Sequence, residues 1–390
     1  MRFKGFEGEW EKMRLGDIGS VKMCKRIFNE QTTPEGEIPF YKIGSFGKKA
    51  DAYISKELYL DYRDRFSFPK KGEILISAAG TIGRTVVYNG EDAYYQDSNI
   101  VWIDNDNSTV SNEFLYYVLQ IVTYNTEGGT IQRLYNNILK ATKFNCPSLV
   151  EQQKIASLLT LIDERIVAQS KIIQRLETLI QGLREKLFTQ RLRFKDEDGQ
   201  QFPDWEVKKL GEIVEFYKGS SLSKGDISAD GQIKCIHYGE LFTIYEEIIS
   251  VVVSRTNKGG LHSQVGDVLM PSSDVTPLGL ATASVILESG VVLGGDINVL
   301  RPFTEINPVF LSYLLNYEKK KVIELVSGTT VKHIYSKDLK NIHLLIPISR
   351  KEQTYISGFL SAIGKKIETE KKILEQYKNQ KKFLLQNLFI

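Results

Sequence analysis

Residues 149–188 carry a regular pattern of apolar positions. The stretch contains no proline and a single glycine, Gly182. Its apolar residues recur at alternating steps of four and three, which is the heptad pattern of a helix that packs along one seam. The polar residue Gln169 fills the one gap in that seam. The seam positions are Ile155, Leu159, Ile162, Ile166, Gln169, Ile173, Leu176, Ile180, Leu183 and Leu187.

The same seam recurs at an offset of 201 residues, where Glu370 aligns with Gln169 and Lys381 takes one further position. From Ile155 to Leu187 such a helix is about 48 Å long at about 1.5 Å per residue, which is longer than one domain needs. An amphipathic helix on its own domain is the ordinary interpretation. The length and the matching copy favour two helices that pack together as a coiled coil. The second seam is Ile356, Leu360, Ile363, Ile367, Glu370, Leu374, Tyr377, Leu384 and Leu388.

The remainder of the first copy has short apolar runs between turn signals. The runs "EILIS" (73–77) and "TVVY" (85–88) predict strands, and "NG" (89–90) predicts a turn. A helix is predicted near 112–121, with Asn112 as its cap. These signals indicate a mixed, strand-rich globular domain.

The chain is a tandem duplication, because matched blocks keep their order over nearly its full length. A period this long suits tandem domains rather than a solenoid, whose repeats run about 20–50 residues. The matched blocks include "GEWEKMRLGDI" (8–18) with "PDWEVKKLGEI" (203–213), "EFLYYVLQ" (113–120) with "VFLSYLLN" (309–316), "GGTIQRLYNNILK" (128–140) with "SGTTVKHIYSKDLK" (327–340), and "EQQKIASLLTLID" (151–163) with "EQTYISGFLSAIG" (352–364).

The duplication predicts an α+β architecture with two strand-rich globular domains and two long helices. The loop after Leu187 leads at once into the second globular domain, so the helices are expected to be antiparallel. The whole would then have internal pseudo-twofold symmetry. The predicted segments are 1–147 for the first domain, 148–190 for the central helix, 191–347 for the second domain and 348–390 for the C-terminal helix.

Composition and charge narrow the class of protein. The net charge is only +3, which neither indicates nor excludes nucleic acid as a partner. The three cysteines are widely spaced and odd in number, which favours a reducing compartment. The N-terminus has no apolar signal region, and no run of about 18 apolar residues is present. A cytoplasmic protein is expected.

The sequence shows no pattern of a catalytic or metal site. Neither a Walker A motif nor GxGxxG occurs, and the four histidines have no metal-ligand spacing and all lie in the second copy. "INPVF" (306–310) is better explained as a helix cap and a first-turn proline than as a methyltransferase motif. The acidic residues of "PDWEVK" (203–208) lie too close together for a PD…ExK nuclease. The chain is expected to be non-catalytic.

Two similar heads at a fixed separation suit a ligand with twofold backbone symmetry, and duplex DNA is the obvious one. Lysine and arginine contact phosphates, and arginine also reads guanine. For any single residue, a scattered solvated charge is the competing explanation. The candidate DNA-binding residues are Lys48, Lys49, Arg63, Arg65, Thr81, Arg84, Arg133, Tyr135, Lys218, Lys224, Ser272, Ser273, Lys332, His333 and Tyr335.

In the order and spacing of these blocks the chain resembles the specificity subunit of type I restriction-modification systems. The resemblance implies that each globular domain reads one half of a bipartite DNA target. It implies that the helices set the spacer and dock two modification subunits, which bind S-adenosylmethionine and methylate adenine. Restriction subunits that use ATP and Mg²⁺ can complete the complex. No cofactor is expected in this chain itself.

The two copies differ most in residues 19–70 and 214–265, and in the loops "SAAGTIGR" (77–84) and "PSSDVTPLG" (271–279). Divergent segments suit base reading, and shared residues suit sequence-independent positioning.

The shared phrase at 128–140 and 327–340 has two interpretations. It is either a turn that closes the head onto its helix, or a grip on the DNA backbone through Arg133/His333 and Tyr135/Tyr335.

Two other functions remain open at this point. A stand-alone two-headed DNA-binding regulator would bind DNA without partners, and a coiled-coil scaffold would bind only protein. Apolar residues off the seam, namely Leu158, Ile172 and Leu179, are expected to form a face for a partner. Such a face favours an assembly subunit over a free regulator.

Overall fold

The computed structural model describes residues 2–124 and 133–389. The chain forms two compact units, one made of residues 1–171 together with 372–390, and the other of residues 172–371. Both dividing points lie inside long helices, α4 (Leu149–Phe188) and α10 (Arg350–Leu388). Each unit therefore contains one strand-rich head and a segment of each long helix. Among the described helices, none has the length and apolar character needed to cross a membrane.

The first head is built on short strands. Its remaining helices are α1 (Lys56–Arg65), α2 (Asn112–Ile121) and α3 (Asn136–Ala141). Its strands are β1 (Glu11–Arg14), β2 (Gly19–Lys22), β3 (Ile38–Tyr41), β4 (Tyr53–Ile54), β5 (Ile74–Ser77), β6 (Thr85–Val87), β7 (Tyr94–Tyr95), β8 (Ile100–Asn105) and β9 (Lys143–Cys146).

The main sheet of the first head has the order β2-β8-β5-β6, with every neighbouring pair antiparallel. Its central strands are buried on both faces, which is why they read as continuous apolar runs rather than as alternating ones. In β8, Val101 and Ile103 face the core shared with the long helices, whereas Ile100 and Trp102 face a second core. That second core is covered by a smaller sheet of order β4-β3-β7.

The second head repeats this plan. Its strands are β10 (Trp205–Lys209), β11 (Val214–Lys218), β12 (Ile233–Ile236), β13 (Ile248–Ile249), β14 (Ser254–Thr256), β15 (Val268–Pro271), β16 (Ser273–Asp274), β17 (Ser284–Ile286), β18 (Val292–Leu293), β19 (Ile297–Pro302), β20 (Lys332–His333) and β21 (His343–Pro347). Its short helices are α5 (Glu240–Thr243), α6 (Pro277–Leu280), α7 (Pro308–Tyr317), α8 (Lys319–Ile323) and α9 (Ser336–Leu339).

The strand orders of the two heads correspond. The main sheet of the second head is β11-β19-β15-β17 with β13 added at its edge, and the smaller sheet is β14-β12-β18. In each head one further antiparallel pair joins the first strand to the last, β1 with β9 and β10 with β21. β13 pairs parallel to β17 and extends the main sheet of the second head.

The helix starts in the heads differ slightly from the predicted ones. Ser111, rather than Asn112, caps α2, and its side chain accepts a hydrogen bond from the backbone N–H of Phe114. The predicted cap was thus wrong by one residue, because either residue type can fill the position. In the second head Asn307 caps α7, with Pro308 in the first turn, as the sequence predicted.

The heptad positions of both long helices are buried or half-buried. Within the first unit, Ile155 and Leu159 share a core with Leu384 and Leu388. Within the second, Ile180 and Leu187 share a core with Ile356 and Leu360. One predicted off-seam residue, Leu158, also packs against the core, so it does not belong to an exposed face.

A glutamine near the start of each long helix joins three segments of its head. The amide oxygen of Gln152 accepts from the Ser111 N–H at 2.9 Å, and its NH₂ group donates to the carbonyls of Thr109 and Pro147, each at 2.9 Å. Gln353 repeats the arrangement with Asn307, Glu305 and Pro347. Both amides are buried, so these bonds fix the head to its helix.

The neighbouring glutamate anchors the segment that precedes each head. Arg193 binds the carboxylate of Glu352 through two N–H donors, each at 3.0 Å. It also donates to the carbonyls of Phe202 and Pro203. Arg2 and Glu151 form the same pair in the first unit, each bond at 2.8 Å. The repeated letters "EQ" therefore reflect two buried anchoring groups.

Replacement of Glu352 by glutamine should lower the free energy of unfolding by about 2–3 kcal/mol, because it removes the buried charged partner of Arg193 and leaves only the exposed Asp204, 3.7 Å away. The measurement is the urea midpoint of the full chain. Glu197→Gln is the matched control, since Glu197 is exposed and lies 3.9 Å from the exposed Lys351. An exposed pair of this kind contributes about 0–1 kcal/mol. Equal midpoints for the two variants would contradict the anchoring role.

Candidate nucleic-acid interface

Four segments of the first head meet at one end of its main sheet. The loop after β5 pairs with Arg133 through a bridge at Ala79, and the N–H of Leu134 donates to the Ala78 carbonyl at 2.9 Å. The Ala78 N–H in turn donates to the carbonyl of Asn99, which lies just before β8. The loop after β2 joins them where Met23 Sδ accepts from the Ser98 N–H at 3.3 Å.

The same four segments meet in the second head. β16, in the loop after β15, pairs with β20, so that Ser273 lies opposite His333. The N–H of Ser272 donates to the carbonyl of Asp296 at 2.8 Å, which brings in the turn before β19. The loop after β11 joins at Gly219, whose N–H donates to Ile297. We call these two surfaces the loop faces, one in each head.

The shared phrase supplies one of the four segments in both heads. Its residues 128–132 lie outside the described part of the chain. From residue 133 onward the pattern is the same in both copies. Leu134 and Ile334 are buried, whereas Tyr135 and Tyr335 on their C-terminal side are about half exposed. In the second head the His333 and Tyr335 rings stack, with their centroids 6.1 Å apart.

The second half of the phrase is a packing element. Leu139 and Leu339 are fully buried. The backbone of Gly16 approaches Lys140 so closely that an added Cβ would lie 3.0 Å from the lysine Cβ, and Gly211 meets Lys340 in the same way. This contact explains why "LG" and "LK" recur together in both copies. The second half of the phrase thus has the packing role, and the exposed side chains lie in its first half.

The candidate residues of the first head fall into two groups. Thr81 and Arg84 lie in the loop after β5, and the Arg84 guanidinium donates to the Phe46 carbonyl at 2.8 Å. Arg84 therefore supports the segment that carries the exposed Lys48 and Lys49.

The second group, Arg63 and Arg65, lies on α1. The Arg65 guanidinium binds Asp61 at 3.0 Å. That of Arg63 donates to the Tyr59 hydroxyl at 3.3 Å and lies 3.7 Å from Asp92. The acidic partners compensate part of the charge that either arginine presents to a ligand.

The candidate residues of the second head lie on or beside its loop face. Lys218 ends β11, and Lys224 lies in the turn that follows, where both are exposed. Lys332 donates to the Gly328 carbonyl at 2.7 Å. Ser272 is half-buried, and Ser273 is buried in the β16–β20 pair. The exposed surface of this loop is therefore formed by other side chains.

Sequence reasoning missed several exposed apolar residues on the loop faces. Val275 and Leu278 are exposed in the loop after β15, and Met23 and Phe28 are exposed in the loop after β2. Only the position of these residues in the sequence could have indicated a contact role, since both loops lie in stretches where the two copies diverge. Residue type gave no signal, because apolar residues in a divergent loop are not distinguished from core residues by sequence alone.

Hydrogen bonds and ion pairs set the charge state of groups near the second loop face. The backbone and hydroxyl of Ser223, together with Lys258 at 3.2 Å, hold the pKa of Asp226 at about 2. Asp226 is therefore charged at neutral pH and compensates Lys258. Burial lowers the pKa of His237, although Glu240 opposes the shift. His237 therefore adds no full positive charge there at neutral pH.

The described residues contain no cluster of three or more His, Cys, Asp or Glu side chains that would suit a metal ion. The three cysteines are buried. Burial raises the pKa of the Cys24 thiol to about 12 and of the Cys146 and Cys235 thiols to about 11. These thiols are protonated at neutral pH, which does not suit a nucleophile.

Comparison with known proteins agrees with the duplicated architecture. The sequence pattern of one family, described as the type I restriction modification DNA specificity domain, matches residues 7–178 and again residues 203–379. The chain belongs to this family. The two matches correspond to the two copies of the repeat.

Individual relatives agree with this family assignment. The chain is 60% identical over 148 residues to a Haemophilus influenzae chain named as a type I restriction enzyme specificity subunit, an alignment that covers 38% of each chain. It is 25% identical over 420 residues to the MjaVIII specificity subunit of Methanocaldococcus jannaschii, which covers 97% of this chain and 91% of that one.

Solved structures share the fold. The specificity subunit from M. genitalium has a TM-score of 0.64 at 19% identity, with 100% of this chain and 99% of that chain covered. A chain from a study of complex assembly in the type I system has a TM-score of 0.57 at 16% identity, with 98% of each chain covered. At these identities the likeness concerns the fold alone.

Replacement of Arg133 by alanine should weaken binding to cognate and non-cognate DNA alike. Arg133 is an exposed residue of the shared phrase, and one lost phosphate contact should lower the salt slope of log K by about 1. The measurement is fluorescence anisotropy over a range of salt concentrations, with the full chain assembled with the other subunits of its restriction-modification complex. Arg191→Ala, at an exposed arginine just after α4, should leave the slope unchanged. A loss confined to the cognate sequence would contradict the backbone role.

Proposed function

We propose that this chain is the DNA-recognition subunit of a type I restriction-modification complex, and that each head reads one half of a bipartite DNA sequence. One observation carries the proposal. The same four-segment loop face occurs once in each head, on the same strand order, but with different residues in two of its loops. A repeated scaffold with divergent loops suits two readers of different half-sites.

The residues of the loop faces divide by what the two heads share. Arg133 and Tyr135 correspond to His333 and Tyr335, and these four positions suit contacts to phosphate and sugar at both half-sites. The loops after β5 and β15 differ in sequence and suit base reading in the major groove. In the second head, the exposed Val275 and Leu278 suit apolar contact with a thymine methyl group. Specificity would then lie in the loops and affinity in the shared phrase.

The long helices would form an antiparallel coiled coil that sets the distance between half-sites. Two contacts within the first unit support that direction, because Asp163 binds Lys381 at 2.7 Å while the later residue Arg165 lies over the ring of the earlier residue Tyr377. The burial of the heptad positions supports packing along the seam. The two copies would be related by pseudo-twofold symmetry. The number of unspecified base pairs would follow from the helix length.

The chemistry would belong to partner subunits. Two modification subunits would bind S-adenosylmethionine and methylate adenine in each half-site, and restriction subunits would add ATP- and Mg²⁺-dependent cleavage. The role of this chain would be to bind and orient the DNA, without a catalytic residue or cofactor of its own. A subunit of such a complex would act on DNA in the cytoplasm, the location that the sequence favours.

An exposed face of α4 is suited to a partner subunit. Ile172 and Leu179 are exposed in the second unit and lie seven residues apart, which is two helical turns. They therefore lie on one face of the helix. The expected partner face thus keeps Ile172 and Leu179 and loses Leu158, which is packed inward.

Genome-wide mapping of methylated bases in cells that carry the complex tests the proposed function. The expected result is a bipartite motif, with a methylated adenine in each half and a gap of fixed length. Deletion of the gene for this chain should abolish that methylation. A continuous motif, or methylation that is unchanged by the deletion, would refute the proposal.

Replacement of Leu179 by glutamate should weaken assembly with the modification subunit by at least tenfold, because a charge would replace an apolar side chain of the exposed face. The measurement is analytical ultracentrifugation of the mixed subunits. Leu192→Glu is the matched control, since Leu192 is similarly exposed but lies beyond the end of α4. Equal loss of assembly in both variants would contradict this docking face.

A further inference from the structure

The loop after β2 carries an unusual surface in the first head. Met23 and Phe28 are exposed, and Phe66 at the end of α1 is partly exposed beside them. Cations lie over the two rings. The Arg26 guanidinium is 5.5 Å from the centroid of Phe28, and Lys25 Nζ is 5.0 Å from that of Phe66. We call Met23, Lys25, Arg26, Phe28 and Phe66 the aromatic patch.

The backbone beneath the aromatic patch is anchored to the head. Cys24 and Ile27 are buried in the core below it, and between them the chain presents Lys25 and Arg26 to solvent. The backbone of Phe28 is fixed by a reciprocal pair of bonds. Its N–H donates to the Gln31 side chain at 2.8 Å, and its carbonyl accepts from the Gln31 N–H at 3.0 Å. An exposed aromatic side chain on an anchored backbone suits a ligand contact.

The aromatic patch is continuous with the first loop face. The Ser98 N–H contacts Met23 Sδ, and Arg26 lies 4.0 Å from Asp97 in the same turn. The next residue, Asn99, accepts from Ala78 in the loop after β5. The patch is therefore an extension of the surface proposed to bind DNA. Its cations suit contacts with DNA phosphates, and its aromatic rings suit stacking on the faces of the bases.

The second head has no equivalent of this patch at the corresponding place. There the loop after β11 reads "GSSLSKGD" (219–226), and its one large apolar residue, Leu222, is buried. Asp226 in that loop binds Lys258. The corresponding loop of the second head therefore presents small polar and charged groups. Any function of the aromatic patch is confined to one half of the DNA target.

We propose that Phe28 inserts between two base pairs of the half-site read by the first head and unstacks that step, while Lys25 and Arg26 contact the flanking phosphates. This inference rests on the proposed function, since it assigns a deformation to one of the two DNA half-sites. Exposed apolar side chains that enter a base step kink the duplex and make its sequence-dependent stiffness part of recognition. The second half-site keeps its stacking at the corresponding position.

The test uses duplexes of the mapped target that carry the fluorescent base 2-aminopurine at single steps other than the methylated adenine. The full chain is assembled with its modification subunits. Fluorescence should rise on binding at a step in one half-site and at no equivalent step in the other. Phe28→Ala should abolish that rise and weaken binding about tenfold, which is the range of one base–aromatic stack.

Phe303→Ala is the matched control. Phe303 is 45% exposed and Phe28 is 51% exposed, but Phe303 follows the far end of β19, away from the second loop face. The control should keep both the rise and the affinity. A second variant, Phe28→Trp, should retain the rise, which separates the loss of a ring from a folding defect.

Two results would overturn the inference on its own. In the first, the wild-type complex binds its target without any rise outside the methylated adenine, and in the second, the rise survives Phe28→Ala. In these two cases the proposed function stands. Weaker assembly with the modification subunits in Phe28→Ala, with the rise unchanged, would assign the patch to a protein contact. If the wild-type complex binds no DNA, the proposed function falls together with this inference.

Discussion

The buried amides of Gln152 and Gln353 are the contacts on which the rest of the architecture depends. Each amide joins the turn before the head helix, the end of the last strand and the start of the long helix. A buried amide left without partners costs about 1–3 kcal/mol, so all three segments must be in place together. The head is thereby fixed to its helix, and its loop face takes a defined orientation relative to the helix axis.

The two-sided burial of the central strands then determines where the variable residues are. In β5 and β8 of the first head, and in β15 and β19 of the second, both faces pack against cores. Substitutions there are restricted by packing on both sides. The loops at the end of the sheet are not restricted in this way. A head can therefore change what it contacts, at Val275 or Phe28 for example, without changing the fold that positions the contact.

The sequence was informative where a period or a repeat was present. The heptad stripe predicted helices over 148–190 and 348–390, and the structure has helices over Leu149–Phe188 and Arg350–Leu388. The loop faces were only partly predictable, because β2, β5 and β8 are distant in the chain and their order depends on tertiary packing. Ser273 illustrates the difficulty, since backbone pairing with His333 buries a residue that looks like an exposed loop serine. Phe28 shows the reverse case, an exposed aromatic residue directly after the core residue Ile27.

The composition of the first unit affects the order in which the chain folds during synthesis. The core of that unit needs Leu384 and Leu388, which are made only after the whole of residues 172–371. The second unit is continuous in sequence, and its core contains no residue from outside its own stretch. It is thus able to complete its core while the apolar stripe at Ile155 and Leu159 still lacks its partners Leu384 and Leu388. During synthesis, the core of the first unit is therefore completed only after the second unit has been made. Until then its incompletely packed apolar stripe is a segment at risk of aggregation.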